Sequence, residues 1–287
     1  MILITGASGM VGGKVVQEVM KSGNSVRAMY RSKEDASKVP SGVTAAVADF
    51  ADADSLRRVL EGVDSIYLVC SPVPQLVEWE GNMIEACKKM NVKRVVLNSA
   101  LGAGGYAKSF PSWHAKVEDR LTSSGLSWTI LRPNSFMQNV VTYYAPTIRS
   151  QNAFYSSVGS ACMSYIDVRD IAAIAAKSVT ADSHAGKTYE LNGPEALSAA
   201  DVAGKISRLA GRSVQYVDIP FEAQRKSLRG MGMPEWQVNA LLELQEYYTQ
   251  GNGAQVDGVV EKLLGRPPMR MDEYLAENVD AFREQAA

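Results

Sequence analysis

The sequence predicts an α/β fold, a doubly wound parallel sheet followed by a smaller mixed α/β C-terminal lobe, on three observations. An apolar run over residues 2–5 empties directly into three glycines, Gly6, Gly9 and Gly12. Apolar strand-like runs then alternate with helical patterns as far as Arg132, which is the signature of a parallel sheet covered on both faces. At 287 residues the chain also reaches the size at which one core stops growing, so an appended lobe is expected. Together these imply a Rossmann-type domain over residues 1–150, with sheet elements returning around 153–192, and a mainly helical lobe over 193–287.

Strands are expected over residues 2–5, 25–30, 44–48, 65–70, 94–98 and 127–131, each a short apolar run. Helices are expected between them over 10–22, 54–61, 75–90 and 112–124. The first carries Val11, Val15, Val16, Val19 and Met20 on one face. Gly23, Gly62 and Gly125 stand where helices should end as left-handed caps. After Arg132 the rhythm changes: short strands over 153–157, 188–192 and 214–218 mix with helices over 168–178, 199–210, 221–230, 235–249, 256–264 and 271–282. Ser198 with Asp201 reads as a capping box and Gly211 as the cap closing that helix. Gly251-Asn252-Gly253 is a loop, and Gly265-Arg266-Pro267-Pro268 is a stop.

Composition narrows the function. A net charge of −1 with 21% charged residues offers no nucleic-acid footprint and no polybasic membrane surface. The three cysteines, Cys70, Cys87 and Cys162, fall singly in apolar segments and read as small core residues of a reducing compartment, hence a cytoplasmic location. No run approaches the roughly 18 apolar residues of a spanning helix, and the strand at Ile2 leaves no room for a leader. His114 and His184, far apart, make a metal site improbable.

The glycine spacing is that of a phosphate cradle at the mouth of a helix. Gly6 allows the strand-to-helix turn, Gly9 lets a pyrophosphate approach the backbone, and Gly12 lets helix and strand pack closely. The helix N-terminus from Met10 then faces an anion. The end of the second strand decides which dinucleotide is read: a ribose 2′-hydroxyl wants an acid there, a 2′-phosphate a cation. Residues 28–33 offer Arg31 and Lys33 and no acid before Glu34, so NADP(H) is preferred over NAD(H). Asp49 and Phe50 follow the third strand where an adenine edge would bind. Ser71 and Pro72 follow the fourth, where the chain passes the nicotinamide side.

Residues 5–13 (TGASGMVGG), Arg31, Asp49-Phe50, Asn98-Ser99, Leu131-Arg132-Pro133-Asn134 with Phe136-Met137-Gln138-Asn139, and residues 165–170 (YIDVRD) together resemble the NmrA-like branch of the atypical short-chain dehydrogenase/reductases. Residues 230–234 (GMGMP) and the Gly265-Arg266-Pro267-Pro268 stretch are most similar to bacterial NAD(P)H azoreductases, with quinone and triphenylmethane reductases as relatives. The resemblance covers essentially the whole chain. It adds Thr5, Ser8, Met10, Val11, Asn98, Ser99, Pro133 and Asn134 to the expected cofactor set.

The chain departs from the wider superfamily at the Tyr-x-x-x-Lys pair. Extended relatives place a Glu four residues beyond the Lys; Glu118 fits it, which puts the Lys slot on His114 and the Tyr slot on Phe110. An alternative register puts Ser112 and Lys116 there, and Tyr106 stands close enough for a loop to bring it in. The catalytic candidates are therefore His114 and Lys116. An enzyme without the Tyr acid suits acceptors that take hydride without a simultaneous proton: quinones, azo bonds and cationic dyes. Its pocket should be apolar and aromatic, with Phe110, Phe136, Met137, Tyr165, Met231 and Trp236 as substrate candidates beside Trp113, Tyr143 and Met233. The expected protein is an NADPH-dependent reductase of a planar conjugated acceptor, monomeric or homodimeric. A non-catalytic NADP(H) sensor is the competing reading, which would have no need of the aromatic segment around residues 231–236. A sugar-nucleotide epimerase is weakened by the missing Tyr-x-x-x-Lys.

Overall fold

A computed structural model describes residues 1–106 and 108–283. The six expected N-terminal strands form as β1 (Ile2–Ile4), β2 (Val26–Tyr30), β3 (Thr44–Val47), β4 (Ser65–Leu68), β5 (Arg94–Asn98) and β6 (Ser127–Pro133). They pair in parallel in the order β3-β2-β1-β4-β5-β6. The direction of strand order reverses between β1 and β4, the switch point at which such sheets bind ligands beyond the strand ends. A later strand, β9 (Lys187–Leu191), borders β6 as the seventh.

Helices α1 (Met10–Lys21), α3 (Ala53–Val59), α4 (Leu76–Lys89) and α5 (Ser109–Thr122) connect the strands. A one-turn helix, α2 (Lys33–Ala36), was not expected; Ser32 caps it by accepting the Asp35 N–H at 3.1 Å. Leu3, Ile66, Leu68, Val95 and Leu97 bury one sheet face against Leu56 of α3, its C-cap Leu60, and Met83, Ile84, Val117 and Leu121 of α4 and α5. Against α1 packs α7 (Val168–Thr180), whose buried Ala172, Ala175 and Ala176 permit a close approach. Gly23, Gly62 and Gly125 have φ of +76°, +70° and +82°, the left-handed geometry of the caps expected there.

The chain divides into two compact units. The first is Met1–Gly105, Phe110–Arg132 and Val168–Glu190; the second is Tyr106–Ser109, Pro133–Asp167 and Leu191–Ala287. The division differs from a boundary at 150, because the chain leaves the sheet at Pro133 and returns for α7 and β9. The second unit holds a π-helical turn (Val140–Tyr144), α6 (Ala145–Gln151), β7 (Ala153–Ser156) paired in parallel with β11 (Gln215–Asp218), and the two-residue strands β8 (Cys162–Met163) and β10 (Leu197–Ser198). Its helices are α8 (Ala199–Ala210), with the Ser198–Asp201 capping box and Gly211 cap, α9 (Phe221–Gly230), α10 (Glu235–Thr249), α11 (Val259–Leu264) and α12 (Met271–Glu277). Two expected helices are shorter than predicted. The one over 256–264 starts only at Val259, because Gly258 is left-handed and Asp257 Oδ1 accepts the Val259 N–H. The one over 271–282 breaks at Asn278 into a 3₁₀ turn (Val279–Phe282). No helix among the described residues is long and apolar enough to cross a membrane.

Candidate active site

In the first unit the glycine loop is built by backbone proximity. Thr5 is completely buried; its hydroxyl donates to the Val69 carbonyl at 2.7 Å and accepts the Val69 N–H at 2.8 Å, so β1 and β4 stay locked one residue beyond their ladder. Gly6 turns with φ +56°, and a Cβ there would lie 3.0 Å from Val69 Cγ1. Gly9 is the N-cap of α1, with an extended backbone and no side-chain cap, and no acid occupies the first turn. An uncapped helix start without a carboxylate presents N–H donors and positive dipole to an anion. A Cβ on Gly12 would sit 2.7 Å from the Gly6 carbonyl carbon and 2.8 Å from the Thr5 oxygen, so this cradle admits only hydrogen. Ser8, Gly9 and Met10 lie at the surface; Val11 and Gly12 are buried behind them. These features fit a pyrophosphate. Gly9→Val should therefore fold yet lose dinucleotide binding, since its own backbone neighbour, the Gly6 oxygen 3.1 Å from a Cβ, can yield whereas a bound anion cannot. Unchanged affinity in a fluorescence titration of NADPH would refute the loop's assignment.

Arg31 leaves the end of β2 exposed, and among the described residues its side chain makes no hydrogen bond or ion pair. Lys33, in α2, is likewise exposed and unpaired among them. Asp49 forms an Asx turn, its Oδ1 accepting the Ala51 N–H at 2.9 Å, and Phe50 lies parallel to Trp79 with centroids 6.5 Å apart. Ser71 and Pro72 are exposed beyond β4.

Asn98 and Ser99 are committed within the fold. Asn98 Oδ1 accepts the Tyr67 hydroxyl at 2.8 Å, and Ser99 Oγ donates to Glu118 Oε1 at 2.5 Å. Arg132 forks onto the same carboxylate, Nε to Oε1 at 2.9 Å, so the buried Glu118 ties β5, α5 and β6 together. His114, one turn earlier on α5, is buried, and among the described residues its Nδ1 has no hydrogen-bond partner. Burial lowers its pKa to about 4, so the ring is neutral near neutral pH. Lys116 is exposed, roughly 200° around the helix from His114, so the two do not act together. Phe110 packs edge-on against Trp113, with centroids 5.4 Å apart.

The second unit holds the remaining candidates. Tyr106 is not poised to donate a proton to a substrate: its hydroxyl donates to the Glu243 carbonyl at 2.9 Å, and burial with the Glu246 charge raises its pKa. Pro133 is buried, and the Asn134 amide is saturated by Asn192 Oδ1, the Gly253 carbonyl and the Ser135 N–H. These bonds make Asn134 a brace of its own unit. Phe136 is half-buried and bridges Ile166; Met137 and Tyr165 are core residues, the Tyr165 hydroxyl without a partner among the described residues. Met231 is 66% exposed and Trp236 half-buried.

One residue escaped the sequence reading. Glu80 of α4 is entirely buried, its Oε1 accepting the Cys70 N–H at 3.1 Å and its Oε2 without a hydrogen-bond partner among the described residues. The signal was available, since Leu76, Glu80, Met83, Ile84 and Cys87 share a helical spacing that places the acid on the apolar face.

The chain matches the NmrA-like family over residues 1–275. It is 34% identical over 284 residues to the NAD(P)H azoreductase of Xenophilus azovorans, across 98% of this chain and 99% of that protein. Quinone oxidoreductase 2 of Escherichia coli (strain K12) is 27% identical over 280 residues, across 96% and 98%. An NADPH-dependent quinone oxidoreductase of Escherichia coli, solved in complex with NADPH, superposes with a TM-score of 0.89 at 27% identity, over 98% of this chain and 99% of that one. With the glycine-loop sheet in place and the family match running over nearly the whole length, the chain belongs to the NmrA-like family.

Proposed function

We propose that this protein is an NADPH-dependent reductase that delivers hydride to a planar conjugated acceptor, a quinone, an azo compound or a dye, without a proton donor of its own. That it is an NAD(P)H-dependent oxidoreductase agrees with the names of its relatives, an azoreductase and a quinone oxidoreductase. The observation that carries the finer reading is on α5: Phe110 stands in the slot of the usual Tyr, and His114, in the Lys slot, is buried and neutral. NADPH, when bound, supplies the hydride.

This chain's residues then bind and orient. Gly6, Gly9 and Gly12 with the start of α1 take the pyrophosphate, and Arg31 with Lys33 takes the 2′-phosphate. Asp49 and Phe50 flank the adenine, and Ser71 and Pro72 line the nicotinamide end. In the second unit the half-buried Phe136 and Trp236 and the exposed Met231 offer apolar surface to an aromatic acceptor. Charge arriving on such an acceptor is delocalised, so water can supply the proton afterwards, and catalysis rests on proximity and desolvation.

A screen of steady-state NADPH oxidation across quinones, azo dyes and cationic dyes tests the assignment; turnover with none of them would refute it. The pH profile tests the mechanism. With a pKa of about 4, His114 is only about 1% imidazolium at pH 6, and a reaction needing that cation would slow tenfold per pH unit above about 4. At saturating NADPH we expect kcat to be flat from about pH 6 to 9. His114→Ala should cost less than about tenfold, against the roughly 10²–10⁴-fold of a lost general acid.

A further inference from the structure

Glu80 has no part in the chemistry above, yet it stands directly behind the cofactor loops. Leaving β4, the chain passes through Val69, locked to Thr5, then Cys70, whose N–H is held by Glu80, and reaches the surface at Ser71 and Pro72. We propose that Glu80 is a positioning residue for the dinucleotide: as a neutral carboxylic acid it holds Cys70, and through it the turn over residues 69–72, in the shape that cofactor binding requires. Affinity for the cofactor is thereby tied to pH. The inference rests on the dinucleotide reading of the loop.

Among the described residues only Cys70, through its N–H and its thiol, stabilises the charge of the carboxyl. Its Oε2 is orphaned, and among the described residues it forms no salt bridge. Burial, opposed by the Cys70 N–H and thiol, pushes its pKa up to about 8. Neighbouring groups do not titrate in its place. Tyr67 and Cys70 are both pushed to higher pKa by burial and by Glu80 itself. Asp54, Arg57 and Arg58 of α3 are exposed, and Arg120 of α5 spends its Nη1 on the Val77 carbonyl at 3.0 Å. An ionised Glu80 must therefore reach water or remain uncompensated, which is the costlier outcome. The Cys70 that its Oε1 holds leads directly into the exposed Ser71 and Pro72, so on this proposal ionisation loosens the turn that the cofactor needs.

If only the protonated form binds well, affinity falls with the protonated fraction. NADPH titrations by fluorescence at pH 7, 8 and 9, where the 2′-phosphate is already ionised, should give a Kd that rises about tenfold between pH 7 and 9 for a pKa of about 8. Glu80→Gln keeps an oxygen for the Cys70 N–H and cannot ionise, so its Kd should stay flat within about twofold. An equal rise in both proteins, or a flat wild type, overturns the proposal. Should the variant not fold, the wild type decides alone. By reciprocity NADPH must raise the pH at which the infrared band of a buried protonated carboxyl fades, and an unshifted band overturns the proposal. Wild-type protein that binds no NADPH at any pH would instead sink the dinucleotide reading, and this inference with it.

Discussion

Gly12→Ala is expected to be the most damaging single-methyl change in the first unit. Its Cβ would fall well inside the van der Waals limit of the Gly6 carbonyl oxygen, and 2.7 and 2.8 Å from the Gly6 carbon and the Thr5 oxygen. All three are backbone atoms, and Thr5 cannot retreat because its hydroxyl is bonded to Val69 in both directions. The helix start must move away from the strand, which costs about 3 kcal/mol, the upper end for overpacking. The cradle moves with it. Losing two charge-assisted N–H contacts to a pyrophosphate at roughly 1.5 kcal/mol each lowers NADPH affinity on the order of 100-fold. Denaturant melts and a binding titration measure the two effects separately. A variant within about twofold of wild-type affinity would show that the loop does not carry the phosphates.

The glycine loop could be read from sequence because each requirement is local. A left-handed φ at Gly6 and a missing Cβ at Gly12 follow from spacing alone, as do the parallel strands, five of which are largely buried apolar runs that need no alternation while β3 is the exposed edge. What stayed hidden depends on partners distant in the chain. Tyr106 is a possible acid by sequence, but its hydroxyl is bonded to the Glu243 carbonyl, 137 residues away. Asn134, expected against the cofactor from a motif, is consumed by Asn192 and Gly253. Ser99, Glu118 and Arg132 were each singled out, but their union in one buried ion pair depends on three elements converging. The segment Val140–Gln151 was missed for a different reason: its β-branched and aromatic residues are poor helix formers, and tertiary packing overrides that preference.

The proposed preference for NADPH turns chiefly on Arg31, and Arg31→Ala tests it. Arg31 stands exposed at the end of β2, and among the described residues no carboxylate neutralises it. The first acid beyond it, Glu34, is exposed and paired with Lys38 at 3.6 Å. On the proposed reading no acid ends β2 to take a ribose 2′-hydroxyl, while an open guanidinium would match a 2′-phosphate by two parallel hydrogen bonds. Arg31→Ala should weaken NADPH binding by on the order of one to two factors of ten and leave NADH binding nearly unchanged, because the lost contact exists only for the phosphorylated ribose. Arg31→Lys should fall between, since a point charge keeps the attraction and forfeits the fork. Raising the salt concentration should narrow the gap between the two cofactors in the wild type, because an exposed ion pair is screened. An equal loss for NADPH and NADH in Arg31→Ala would place the 2′-phosphate elsewhere on the protein, with Lys33 the next residue to change.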